Sequence, residues 1–140
     1  MLRSDAELAM DEAVLAVSEA ARLHREAAHN AAATIRPGLA EAADLRERIA
    51  EELAEAARKA GWLPRAPDPD ADAARTLAEE VQLAVAGTED APLQAERLGA
   101  DREALNRLER LLAEPDLPSH VAAVATRGRN RLKSEDEASD

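Results

Sequence analysis

Apolar and small side chains recur along the first forty residues at alternating intervals of four and three. The positions with this spacing are Met10, Val14, Val17, Ala21, Ala28, Ala31 and Ile35, and His24 falls among them. The spacing places these side chains on one face of a long helix that packs against other helices. Ser4 or Asp5 can cap this helix, and the pattern predicts that it continues to about Thr34.

A second helix of the same kind is predicted after a break at the Arg36-Pro37-Gly38 sequence, because proline disfavours helix in the residue before it. This helix is expected from about Leu39 to Ala60, with Gly61 closing it. Its predicted apolar face consists of Ala42, Leu45, Ile49, Leu53, Ala56 and Ala60.

Three prolines within the sequence Leu63 to Asp70 predict an extended crossover after the second helix. A short helix is predicted next, from about Ala71 to Ala86. A longer one follows from Thr88 or Glu89 to about Ala113. The inward positions of these two helices are Ala74, Leu77, Val81 and Val85, then Leu98, Leu105, Leu108 and Leu112.

A last helix is predicted from the Asp116-Leu117-Pro118 sequence to about Leu132, with Val121 and Val124 facing inward. Gly128 is expected to weaken it. The acidic tail, residues 134–140, is expected to be disordered. Residues 1–133 are then expected to form one all-α domain, an up-down helical bundle with a proline-rich crossover and one short extra helix, which is the kind of connectivity that ferritin-like bundles have.

Composition narrows the function classes. The chain has no Phe, Tyr or Cys and only Trp62 as an aromatic residue, so Leu, Ile, Val, Met and Ala must fill a closely packed core. The net charge of -11 repels phosphate backbones and so argues against nucleic acid as a ligand. No apolar run suits a signal peptide or membrane span, so we expect a cytoplasmic protein with no membrane partner.

One short basic stretch interrupts this acidic sequence. It consists of Arg127, Arg129, Arg131 and Lys133. We interpret these residues as positive charges that stabilise the negative end of a helix dipole at the helix C-terminus. The alternative is that they bind an anion.

Several short sequences along the chain resemble those of small bacterial ferritin-like bundles known only as a domain of unknown function. They are Arg25-Glu26-Ala27-Ala28, Glu52-Leu53, Ala60-Gly61, Val85-Ala86-Gly87-Thr88-Glu89-Asp90, Asp101, and the run from Leu111 to Pro118. The resemblance spans almost the whole chain and implies a four-helix bundle. It also aligns Glu19 with an acidic position of those proteins, although the helical pattern places Glu19 near the outer face.

A di-metal carboxylate site in such a bundle needs a Glu from each of two helices and a Glu-x-x-His pair from each of the other two. The chain has one such pair, Glu26 and His29, and the helical pattern directs both to solvent. His24, Glu52 and Asp101 are the best inward candidates for a metal. The simpler interpretation is that His24 and Asp101 form a polar pair that ties two helices together.

Leu8 and Leu15 lie on the face of the first helix opposite the apolar one. They are either isolated exposed apolar side chains or, as we favour, the contact that pairs the first helices of a homodimer. No motif of a hydrolase or phosphate-binding enzyme is present. We therefore expect a non-enzymatic bundle that acts by protein association, without a cofactor. The alternatives are a degenerate iron- or manganese-binding bundle, whose only enzymatic form is a ferritin-like oxidase, and an acidic adaptor or chaperone for a basic partner.

Overall fold

The computed structural model of this 140-residue chain describes residues 4–62 and 90–138. Within those ranges it consists of four α-helices and contains no strand, which confirms the predicted all-α helical bundle. The helices are α1 (Asp5–Asn30), α2 (Arg36–Lys59), α3 (Asp90–Leu112) and α4 (Ser119–Ala138). The predicted proline-rich crossover and short helix lie outside the described residues.

The ends of the first two helices follow local sequence signals. Ser4 caps α1, since its side chain accepts a hydrogen bond from the Glu7 backbone N–H at 3.2 Å. α1 ends at Asn30, earlier than the predicted Thr34. α2 begins at Arg36, earlier than predicted, because Pro37 lies in its first turn, where no backbone N–H is needed. Gly61 closes α2 with a φ of 79°.

The last helix corrects two predictions. α4 continues to Ala138, well past Leu132, so residues 134–138 are helical rather than part of a disordered tail. The acidic composition alone suggested disorder, but Glu135 has a buried cationic partner in α2. The basic stretch therefore lies in the middle of α4 along the chain, and the last turn of α4 contains no basic residue. Its interpretation as a complement to a helix C-terminus is wrong.

Ion pairs and one hydrogen bond between helices fix the helix directions. α1 and α4 each pack against both α2 and α3. Along α1 and α3, Glu12 pairs with Arg107 whereas His24 pairs with Asp101, so these helices run antiparallel. α2 and α4 are also antiparallel, since Ala56 contacts His120 at one end and Arg46 contacts Glu135 at the other. With the α1 and α2 hairpin, the order of directions is up, down, down, up.

The core is thin and rich in alanine, as the composition predicts. Its largest fully buried apolar side chains are Met10, Val17, Ile49, Leu53, Leu108, Leu111 and Val121, and Ala13, Ala20, Ala43, Ala104 and Ala125 fill the space between helices. Of the inward positions predicted in α3, only Leu108 is fully buried, and Leu98 is 53% exposed. The face of α3 that meets the core is turned toward Ala104 and Leu111 instead.

Small residues set how closely α2 and α4 approach. A Cβ atom built on Gly128 would lie 2.8 Å from the Ile49 Cγ2 atom, closer than such atoms can pack. Gly128 therefore serves the packing of α4 on α2, although glycine lowers the helix propensity of α4 itself.

Candidate functional site

Each of the four helices contributes one polar side chain to a single cluster inside the bundle. These are His24 of α1, Arg46 of α2, Asp101 of α3 and Glu135 of α4, and we call them the four-helix ion network. Only 2% of Arg46 and 7% of His24 is exposed, while Asp101 and Glu135 keep part of their surface in solvent. The network joins all four helices near the α1 C-terminus and the α4 C-terminus.

Arg46 is the centre of the network, and all five of its N–H groups are used. Its Nε and Nη2 atoms donate to the two Asp101 oxygens at 2.9 and 3.0 Å. Its Nη1 and Nη2 atoms donate to the two Glu135 oxygens at 3.0 and 2.7 Å, and Nη1 also donates to the Ala42 carbonyl at 2.8 Å. Two bidentate carboxylates thus hold one buried guanidinium, a geometry that arginine provides and lysine does not.

His24 completes the network from α1. Its Nε2 atom lies 3.1 Å from Asp101 Oδ2 and 3.2 Å from Oδ1, and Nε2 must carry the proton because an ionised carboxylate only accepts. The Nδ1 atom is buried and has no hydrogen-bond partner among the described residues. His24 and Asp101 therefore form the polar pair that the sequence suggested, tying α1 to α3.

The electrostatics of the network favour its charged form. Burial raises the pKa of the Asp101 carboxyl, but hydrogen bonds from His24 and Arg46 outweigh burial and leave the pKa below its usual value. Burial lowers the pKa of Arg46, but hydrogen bonds to Glu135 and Asp101 outweigh burial and leave the pKa above its usual value. The guanidinium therefore stays charged. The two carboxylates and one guanidinium carry a net charge of -1 when His24 is neutral.

Glu52, the third predicted metal ligand, does not join His24 and Asp101. It lies on α2, where its Oε1 atom is 3.7 Å from Nη1 of Arg131. Within residues 4–62 and 90–138 no three His, Cys, Asp or Glu side chains are close enough to share a metal ion. A guanidinium between Asp101 and Glu135 occupies the oxygens that a di-metal centre would need. The residues present therefore do not fit such a centre.

The other acidic positions singled out in α1 lie outside the network. Glu19 and Glu26 both pair with Arg22, at 2.6 and 2.8 Å, and His29 is exposed. The helical pattern thus assigns Glu26 and His29 correctly to the outer side of α1. It is also the better guide for Glu19, which the resemblance alone made a candidate.

Sequence reasoning missed two members of the network, Arg46 and Glu135. Arg46 lies seven residues before Leu53 and occupies a core-facing position of the repeat along α2. A charged residue at such a position was the available signal. Glu135 gave no signal of its own, since it stands among acidic residues whose composition is typical of a solvated tail.

A cleft of about 700 Å³ adjoins the network. His24, Arg46 and Asp101 line one part of it, and leucines of α2 and α3, including the exposed Leu98, line another. None of the described residues that line the cleft is a serine, threonine, cysteine or lysine.

The outward face of α1 presents two further predicted residues. Leu8 and Leu15 are each 47% exposed and stand seven residues apart, so they lie on one line along the helix. Glu12, between them in sequence, pairs with Arg107 of α3 at 2.6 Å. Its charge is therefore neutralised within the chain, and the two leucines remain accessible.

No described helix combines the length and the apolar character that crossing a membrane requires. Comparison with known proteins finds no matching family model, no matching curated protein and no matching solved structure.

Proposed function

We propose that this chain is a non-enzymatic bundle of ferritin-like architecture that acts by protein association, as a homodimer formed through α1. The observation that supports this proposal most is that the charged groups of the four-helix ion network are already bound to one another. Arg46 has no free donor, and both of its carboxylate partners are engaged, so the place where related architectures hold metals is used here for joining helices.

The outward face of α1 supports the homodimer. Two copies of α1 packed antiparallel would bring Leu8 of one against Leu15 of the other, which is the self-complementary contact that a two-fold dimer requires. α1 is 26 residues long, which corresponds to about 39 Å of helix available for contact. A core this rich in alanine gains stability from the additional apolar area that association buries.

A Leu15→Glu substitution tests this interface. The substitution places a charge on each copy against the Leu8 side chain of the other, which is expected to convert the dimer to a monomer, as measured by sedimentation velocity over a range of protein concentrations. Leu98→Glu is the matched control, because Leu98 is similarly exposed but lies on α3. The control variant should stay dimeric. A monomeric wild-type protein, or a Leu15→Glu variant that still dimerises, would reject the proposed interface.

A degenerate iron- or manganese-binding bundle is the second candidate, and one observation favours it. The buried Nδ1 atom of His24 has no partner among the described residues, and histidine nitrogens are common metal ligands. The Arg46 guanidinium, which binds the same Asp101 carboxylate as His24, opposes a cation electrostatically. Among the described residues, Glu52 is not close enough to His24 and Asp101 to share a metal ion with them. We therefore propose the association function in preference.

A further inference from the structure

A shallow groove of about 910 Å³ lies between α2 and α4. Three arginines line it, Arg48 from α2 and Arg127 and Arg131 from α4. Most of its other lining side chains are alanines or carry hydroxyl or amide groups, with Ser119 toward one end and Ser134 toward the other. The basic stretch noted in the sequence thus supplies two of the arginines, and a third joins them across the groove.

The charge of this groove is opposite to that of the chain. The whole chain carries a net charge of -11, yet no Asp or Glu is among the described residues that line the groove. Arg48 and Arg127 are both exposed, and neither forms an ion pair with another described residue. Arg131 has only a distant partner, Glu52 at 3.7 Å, and its buried Nη1 atom makes no hydrogen bond to any described group.

We propose that this groove binds an acidic helical segment of a partner protein. Arg48 and Arg127 have no ion-pair partner among the described residues, and Arg131 has only its 3.7 Å contact with Glu52. The positive charge of the groove is therefore largely uncompensated and costs stability, which favours a ligand that neutralises it. The proposal concerns a different face from the α1 contact and does not depend on the homodimer.

The spacing of the arginines suits a helix. Arg127 and Arg131 are one turn apart on α4, about 6 Å along the axis, and carboxylates four residues apart on a partner helix have the same separation. From Ser119 to Ser134 the groove follows α4 for about 22 Å, enough for four helical turns. Small side chains along the groove allow the partner backbone to approach closely, as in other complexes in which a helix lies in a groove.

Two other occupants fit less well. A nucleic acid would extend beyond the groove and meet the acidic remainder of the surface, which repels phosphates. A second copy that used the same groove around a two-fold axis would place the arginines of both copies against each other.

The test uses a fluorescently labelled synthetic helix of sixteen residues, built from alanine with glutamates at every fourth position. A second peptide with glutamine in place of each glutamate is the neutral control. Fluorescence anisotropy with the full chain at low salt should show binding of the glutamate peptide only, and added salt should weaken it. Arg48→Glu and Arg127→Glu should each weaken binding at least about fivefold.

Arg110→Glu is the matched variant, because it makes the same charge change on α3, away from the groove, at a residue whose contact with Glu12 is 3.9 Å long. It should leave peptide affinity nearly unchanged. Equal binding of the glutamine peptide, equal losses in all three variants, or no binding of the glutamate peptide would each overturn the proposal. A change in the oligomeric state of the unliganded protein on Arg127→Glu substitution would also overturn it, in favour of a second copy.

Discussion

Replacing Arg46 with methionine is expected to lower the free energy of unfolding by about 3 kcal/mol, because Asp101 and Glu135 would lose the cation that compensates their partial burial. Methionine keeps much of the side-chain volume, so the loss reports mainly on charge and hydrogen bonds. Both carboxylates keep some contact with solvent, so the expected loss of stability lies at the lower end of the losses that follow the breaking of buried ion pairs. Denaturant titration followed by circular dichroism measures it.

Arg25 provides the control for this prediction. It also bridges two carboxylates, Asp44 and Glu47, but on the surface of the α1 and α2 hairpin. Arg25→Met should therefore cost far less stability than Arg46→Met. A triple variant with Arg46→Met, Asp101→Asn and Glu135→Gln should recover part of the loss, since it removes the uncompensated charges. Equal losses at Arg25 and Arg46 would show that burial of the network contributes nothing.

Replacing Gly128 with alanine is expected to destabilise the wild-type protein but to stabilise a variant in which the facing residue, Ile49, is smaller. In the wild-type protein the added methyl group would press on Ile49, and overpacking of this kind costs about 1–3 kcal/mol, more than the roughly 1 kcal/mol gained in helix propensity. In an Ile49→Ala background, itself about 2–5 kcal/mol less stable, the same methyl group fills part of the cavity and should stabilise the protein.

Gly99→Ala is the matched control for this second prediction. Gly99 is also helical, but nothing lies within 4 Å of a Cβ atom built on it. Its substitution should stabilise the protein by about 0.5–1 kcal/mol through helix propensity alone. If Gly128→Ala stabilises the wild-type chain as Gly99→Ala does, then α2 and α4 do not approach as closely as the structure shows.

The sequence predicted the four described helices, though not all of their ends, because apolar spacing and capping residues are local signals. Ser4 and Gly61 mark helix ends that the structure confirms. Leu98 shows the limit of prediction from spacing. Leucines two turns apart suggest a buried face, yet Leu98 is exposed. The side of α3 that is buried is the one that can approach α1 and α4 most closely.

The candidate site could be predicted only in part. His24 and Asp101 stand at inward positions, and their pairing follows from the need of buried polar groups for partners. Arg46 was missed because a charged residue in an amphipathic pattern is normally assigned to solvent. Its burial depends on carboxylates from two other helices, one of them Glu135, more than eighty residues away in sequence. The core-facing position of Arg46 in the repeat of α2 was a periodic signal, but the compensating carboxylate of Glu135 left none.

Elemental mass spectrometry of the untagged protein, purified without chelator, tests most directly whether arginine rather than metal holds the bundle interior together. We expect no stoichiometric iron, manganese or zinc, even after anaerobic incubation with iron or manganese, and a melting temperature that chelator does not change. Near-stoichiometric metal whose removal lowers the melting temperature, with both effects abolished by His24→Ala, would contradict the four-helix ion network as the basis of this fold.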